Sequence, residues 1–140
     1  MIERIVVGHD GSPNARVAVQ WALDLARAVD AEVVVVHAVG LLETSEMRQA
    51  GLDREARRAQ FESEWCGDLD AVGVRTQRLM VDGDPVTVLL RTADEVGADL
   101  LVVGSRGLGD RPELLLGSTS TQVAQRSKKP VVVVPPESAS

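Results

Sequence analysis

The stretch Asp99–Ser120 reads DLLVVGSRGLGDRPELLLGSTS. Its start, Leu100–Gly104 (LLVVG), is a short apolar run closed by glycine, the pattern of a strand covered on both faces of a sheet. Its remainder is a loop with glycines at 104, 107, 109 and 117, ending in the hydroxyl residues Ser118, Thr119 and Ser120 where a helix would begin. Three more runs read as buried strands: Ile2–Gly8 (IERIVVG), Glu32–Ala38 (EVVVVHA) and Pro130–Val134 (PVVVV). Val74–Val81 (VRTQRLMV) alternates and reads as a more exposed edge strand.

Helical patterns lie between these strands. Ser12 is an N-cap and Pro13 suits the first helical position, with Ala15, Ala18, Ala22, Leu25, Ala26 and Val29 forming an apolar stripe. In Glu55–Trp65, Phe61 and Trp65 fall opposite the Leu52, Ala56, Ala59 stripe, which predicts an irregular helix or one that touches a partner. Asp84 caps a helix with Pro85 in its first turn, Val86, Leu89, Leu90 and Ala93 inward, and Gly97 at its end. A last helix runs from Gly117–Ser118 to about Ser127 with Val123 and Ala124 inward.

Strand–helix alternation implies a single α/β domain over residues 1–136, a five-stranded parallel sheet with right-handed crossovers and helices on both faces. The tail 137–140 is expected to fray, and Gly40–Gly51 to form a long mobile loop. Ligands of such sheets bind beyond the carboxyl ends of the strands, where strand order reverses. The first strand ends in His9-Asp10-Gly11-Ser12 and the fourth in Gly104-Ser105-Arg106-Gly107, so these two strands flank the reversal in an order 3-2-1-4-5.

Composition narrows the function. A chain of 140 residues with 44% apolar residues builds one real core, mainly aliphatic because Trp21, Phe61 and Trp65 are its only aromatics. A net charge of −6 argues against nucleic-acid binding, which needs excess Lys and Arg. A small anion stays open, because local backbone N–H groups bind it whatever the net charge. The single Cys66 forms no internal disulfide and reads as a structural or exposed thiol. MIERIVVGHDGS carries Glu3 and too short an apolar run for a signal peptide, and AEVVVVHAVGLL is too short to span a bilayer, so the expected location is cytoplasmic.

In the glycine loop, Gly107 and Gly109 permit positive φ, and Gly117–Ser118 stand at a helix N-terminus whose N–H groups and dipole favour phosphate. Glycine spacing alone leaves ordinary turns and a phosphate cradle both open. The chain has no GxxxxGK[ST], and GHDGSP stands where a dinucleotide fold carries GxGxxG. A phosphoacceptor receiver domain fails too, since Asp10 lacks an acidic neighbour and Lys128–Lys129 precede the last strand.

The pattern G-x2-G-x9-G-[ST], met by Gly104, Gly107, Gly117 and Ser118, resembles the nucleotide-binding motif of the ATP-binding branch of universal stress proteins. IVVGHDGSPNA, VVVVHAV, VDGDPVTVLLRTADEVGADLLVVGSRG and PVVVVP are similar to other segments of that family, leaving aside the variable Gly40–Val72. The resemblance implies a Rossmann-like sandwich of the adenine nucleotide α-hydrolase type that binds ATP or another adenine nucleotide with Mg2+. It places Asp10 at the base or ribose, Ala38 and Val81 near the adenine, Gly104 by the ribose, and Gly107, Gly117, Ser118 and Ser120 on the phosphates. Gly8, His9, Ser105 and Thr119 adjoin these positions, and Arg106 and Arg111 are cations of the same loop. No metal site built from protein side chains alone is expected: His9 and His37 lack a third ligand.

The family implies a homodimer through the last strand, and an uncharged terminal edge strand such as Pro130–Val134 independently needs covering. The implied role is a nucleotide-dependent regulator of the stress response acting on a protein partner, without enzyme activity, nucleic acid or membrane. Alternatives are a slow ATP hydrolase and a dimerisation module with an empty pocket. The related hydrolases carry an SGGxD-like loop where this chain has HDGSPN.

Overall fold

The computed structural model describes residues 1–39, 55–56, 58–65, 73–106 and 116–137, with backbone alone at 64 and 65. Five strands, β1 (Arg4–Gly8), β2 (Glu32–Val39), β3 (Thr76–Asp82), β4 (Leu100–Gly104) and β5 (Val131–Val134), form one sheet ordered β3-β2-β1-β4-β5. Every pairing is parallel, with Ile5 opposite Val33 on one side and Leu100 on the other. Helix α1 (Pro13–Val29) covers one face, and α2 (Pro85–Val96) and α3 (Ser118–Arg126) cover the other.

The valine runs follow from this double cover. Ile5, Val7, Val33, Val35 and Val102 pack with α1, while Val6, Val34, Leu101 and Val103 pack with α2 and α3. Both parities of each inner strand are buried, so both are apolar except at His37, whose Nδ1 is hydrogen-bonded to His9 O. Such a run does not set its own register, because a slip by one residue exchanges one apolar side chain for another. Strand ends do: Glu32 N–H donates to Glu3 O, and Leu101 N–H to Pro130 O. At the foot of β1, Glu3 N–H and Arg4 N–H both donate to Asp99 Oδ2, at 2.8 and 3.2 Å. A side chain takes the place of the ladder there, and β1 starts at Arg4 rather than at Ile2.

Caps delimit the helices as the sequence implies. Ser12 Oγ accepts from Ala15 N–H, Asp84 Oδ1 accepts from Thr87 N–H, and Gly97 closes α2 at φ 68°. Two apolar stripes need correction. In α1, Val19 and Leu23 are buried, whereas Leu25 is only half-buried and Val29 is 37% exposed. Leu25 lies on the flank of the stripe. Val29 overhangs, because seventeen residues of helix span about 26 Å and a five-residue strand about 17 Å. In α3, Ser120 and Val123 face inward and Ala124 is exposed, because this short helix buries only a narrow stripe.

The helix around residues 55–65 does become irregular, turning π-helical over Phe61–Trp65. Phe61 is buried in the α1-side core, while Ala56 and Ala59 are exposed, so the aromatic side of that helix is the inward one. Edge strand β3 is mostly half-buried, as its alternation implies. Cys66, Leu52, the Gly40–Gly51 loop and residues 138–140 lie outside the described residues. Among the described residues, no helix is long and apolar enough to cross a membrane.

Candidate functional site

β1 and β4 are neighbours whose connections leave to opposite faces, and a hollow opens above their carboxyl ends. It holds about 590 Å³ of empty space, counted to its open mouth and including solvent-open space. Gly8, His9 and Asp10 line it from the end of β1, and Ala38 with His37 from β2. Gly104, Ser105 and Arg106 contribute from β4, and Thr119 and Ser120 from α3.

The β1 turn is held by its own polar side chains. Asp10 Oδ1 accepts from Ser12 N–H at 2.9 Å, and His9 Nδ1 accepts from Gly11 N–H at 3.0 Å. Gly11 sits at φ 86°, a conformation that suits glycine. Accepting at Nδ1 makes His9 the neutral Nε2–H tautomer. Burial lowers its pKa from 6.5 to about 4, with Arg16 and His37 adding to the shift and Asp10 opposing it. His37 is also buried, its Nδ1 donating to His9 O at 2.8 Å and its ring 5.8 Å from that of Phe61. The two histidines thus form part of the cleft wall. Among the described residues, no group of three His, Cys, Asp or Glu is placed to hold a metal.

The β4 turn centres on two residues. Ser105 O accepts from Gly117 N–H at 2.5 Å and from Ser120 Oγ at 2.9 Å, so the loop leaves and returns at one carbonyl. Asn14, buried in the first turn of α1, ties that point to β5: its Nδ2 donates to Val134 O, while its Oδ1 accepts from Arg106 N–H and Ser105 Oγ. Gly104 is small for the same reason. A Cβ there would lie 3.0 Å from Asn14 Cγ and 3.2 Å from the Asn14 backbone oxygen.

Sequence reasoning missed Asn14. A polar residue following Ser-Pro reads as part of an exposed first turn. The available signal was that Ser12 already supplies the cap, leaving the asparagine amide for another task. The apolar wall from Leu89, Val36 and Val103 was read only as core.

Other expected positions lie apart from the wall. Val81 pairs with Ala38 across the sheet and packs on the α2 side. Gly117 is buried at the start of α3 and Ser118 is exposed. Gly107, Gly109 and Arg111 lie outside the described residues.

Helix α3 differs from the other two at its N-terminus. Side chains cap α1 and α2, while α3 begins at Gly117 with no side-chain cap; none of the three has an acidic residue in its first turn. Its first turn borders the cleft through Thr119 and Ser120. Uncapped N–H groups and a positive dipole end suit an anion.

These features define a doubly wound α/β protein with a small-molecule cleft at the reversal of strand order. The universal stress protein family model matches residues 1–135, and the chain belongs to that family. A universal stress protein of Thermus aquaticus is 33% identical over 137 residues, covering 96% of this chain and 99% of the relative. A solved universal stress protein in complex with cAMP is 34% identical, with a TM-score of 0.71 over 97% of this chain and 98% of its own. The fold is also that of MJ0577 from Methanocaldococcus jannaschii, at a TM-score of 0.84, 24% identity and 99% coverage of both chains.

Proposed function

We propose that the cleft binds an adenine nucleotide, ATP with Mg2+, and that occupancy alters the contacts of a cytoplasmic homodimer with a regulatory partner. The observation that carries this reading is the start of α3 beside the cleft, which has no side-chain cap, whereas α1 and α2 have one. The cAMP complex of a relative supports the adenine class. In this reading the base lies against Ala38, Val36 and Leu89, and Asp10 meets the base or ribose. Gly107, Gly117, Ser118, Thr119 and Ser120 address the phosphates, Gly104 lies by the ribose and Val81 on the adenine side, with Gly8, His9, Ser105 and Arg106 beside them. Mg2+ rides on the phosphate oxygens. Ser120 acts there through its backbone N–H, since its hydroxyl donates to Ser105 and Gly117 carbonyls. The dimer forms through β5, whose outer edge is, with that of β3, one of the two unpaired edges of the sheet among the described residues. The site is assigned binding rather than turnover.

Heat extraction of purified protein followed by mass spectrometry, with calorimetric titration of ATP into the stripped chain, tests this reading. Adenine nucleotide in the extract or saturable rebinding is expected. Neither at millimolar concentration refutes it. Gly117 has φ −79°, which alanine also adopts, so Gly117→Ala is expected to keep the fold while weakening ATP by about tenfold through crowding of the anion approach.

A further inference from the structure

A second pocket lies away from the cleft, between the last turns of α2, the start of β4 and the α3–β5 turn, with about 490 Å³ of empty space counted to its mouth. Leu90, half-buried, gives it an apolar edge, and Ala93 and Leu101 behind it are buried in the core. Its other wall is Arg126, Lys128 and Lys129, three cations within four residues. Lys128 and Lys129 are the only lysines of a chain whose net charge is −6.

None of the three cations is engaged in an ion pair among the described residues, unlike Arg4 with Glu32 or Arg27 with Asp24. The C-terminus of α3 accounts for part of this charge. It amounts to roughly half a negative charge, several-fold less than the cations beside it. Asp94 borders the pocket from α2, and Asp84 and Asp99 feel Arg126 and Lys129 only at longer range.

The basic turn is also fixed in place. Ser127 N–H donates to Val123 O, Ser127 Oγ donates to Lys129 O, and Lys129 N–H donates back to Ser127 Oγ. Leu101 N–H bonds Pro130 O on its far side. A wall whose backbone is already ordered loses less entropy when a ligand arrives.

We propose that this pocket binds a small organic anion, with an apolar body against Leu90 and a phosphate or carboxylate on Arg126, Lys128 and Lys129. The anionic group lies on the α3–β5 side because Asp94 repels it from the α2 side. The pocket is separate from the cleft, and the proposal does not depend on the nucleotide reading.

The test is an amide-resolved NMR titration of the full chain with 1-naphthyl phosphate, with and without ATP. Inorganic phosphate, 1-naphthol and hexaglutamate are titrated separately. Shifts at Ala93, Asp94, Leu101 and Ser127 are expected for naphthyl phosphate in both conditions, with weaker binding of phosphate or naphthol alone. Lys128→Gln/Lys129→Gln, changed at accessible side chains, is expected to weaken naphthyl phosphate by about tenfold, and Asp94→Asn to strengthen it about threefold. Rising salt is expected to weaken it. Shifts confined to the cleft, unchanged affinity in the double variant, or saturation by hexaglutamate where naphthyl phosphate fails would each overturn the proposal.

Discussion

Replacing Asn14 by alanine is expected to loosen the joint between α1, the β4 turn and β5. Asn14 is 7% exposed and makes three hydrogen bonds there, at 2.8, 3.0 and 3.2 Å. Alanine leaves the Arg106 N–H without its acceptor, costing about 1–3 kcal/mol, and the Ser105 hydroxyl without its acceptor, about 1 kcal/mol. Val134 O loses less, because Ser105 N–H still donates to it at 2.8 Å. The better helix propensity of alanine returns about 0.5 kcal/mol. The net loss is about 2–3 kcal/mol, which for a chain of this size lowers Tm by about 7–10 °C.

Urea denaturation and calorimetry measure that loss, and Asn14→Asp separates the hydrogen bonds from simple truncation. Aspartate keeps the acceptor but sets a buried anion against Val134 O. The helix dipole favours that charge by only about 0.5 kcal/mol, less than its desolvation costs. Its folded-state pKa is therefore raised, and the variant regains stability relative to wild type as acid protonates the carboxyl and restores a donor. An alanine loss under about 0.5 kcal/mol, or an aspartate variant with no relative recovery in acid, would refute the role given to Asn14.

Three further outcomes are expected. His9 titrates near 4 when folded and near 6.5 when unfolded, so the unfolded chain binds the extra proton between those values. Its contribution makes stability fall as pH drops through that window, by about 3 kcal/mol in all. Urea midpoints across the window should show this slope in wild type and a flatter one in His9→Asn; equal slopes would contradict the assignment. Gly104→Ala pushes a methyl onto Asn14 and is expected to cost about 1–3 kcal/mol by denaturant titration. Asp84→Ala removes the α2 cap and should cost about 1 kcal/mol. Thr87 holds the Asp84 carboxyl below the ordinary range, so this difference should persist to mildly acidic pH and shrink only in stronger acid.

The sheet order was legible because valine-rich strands alternating with capped helices admit few topologies, and the HDGS and GSRG turns marked where the order reverses. The inward side of the 55–65 helix was not legible. Two apolar faces competed, and contact with His37 and the α1-side core selected Phe61. The placement of His9, Asp10, Gly104, Ser105, Arg106, Thr119 and Ser120 around one cleft follows from loop adjacency, whereas Asn14 looked like an ordinary polar helix residue.

By itself, the sequence determined what is local or periodic: buried runs, Ser12 and Asp84 as caps, Gly97 as a stop, and glycine spacing shared with a family. Tertiary structure decided the rest. It fixed register where valine could exchange for valine, engaged the Ser120 hydroxyl with two backbone carbonyls, and gathered both lysines with Arg126 and Leu90 at one pocket. Each depends on groups far apart in the chain, and their hydrogen bonds, close approaches and desolvation exist only once the sheet has brought them together.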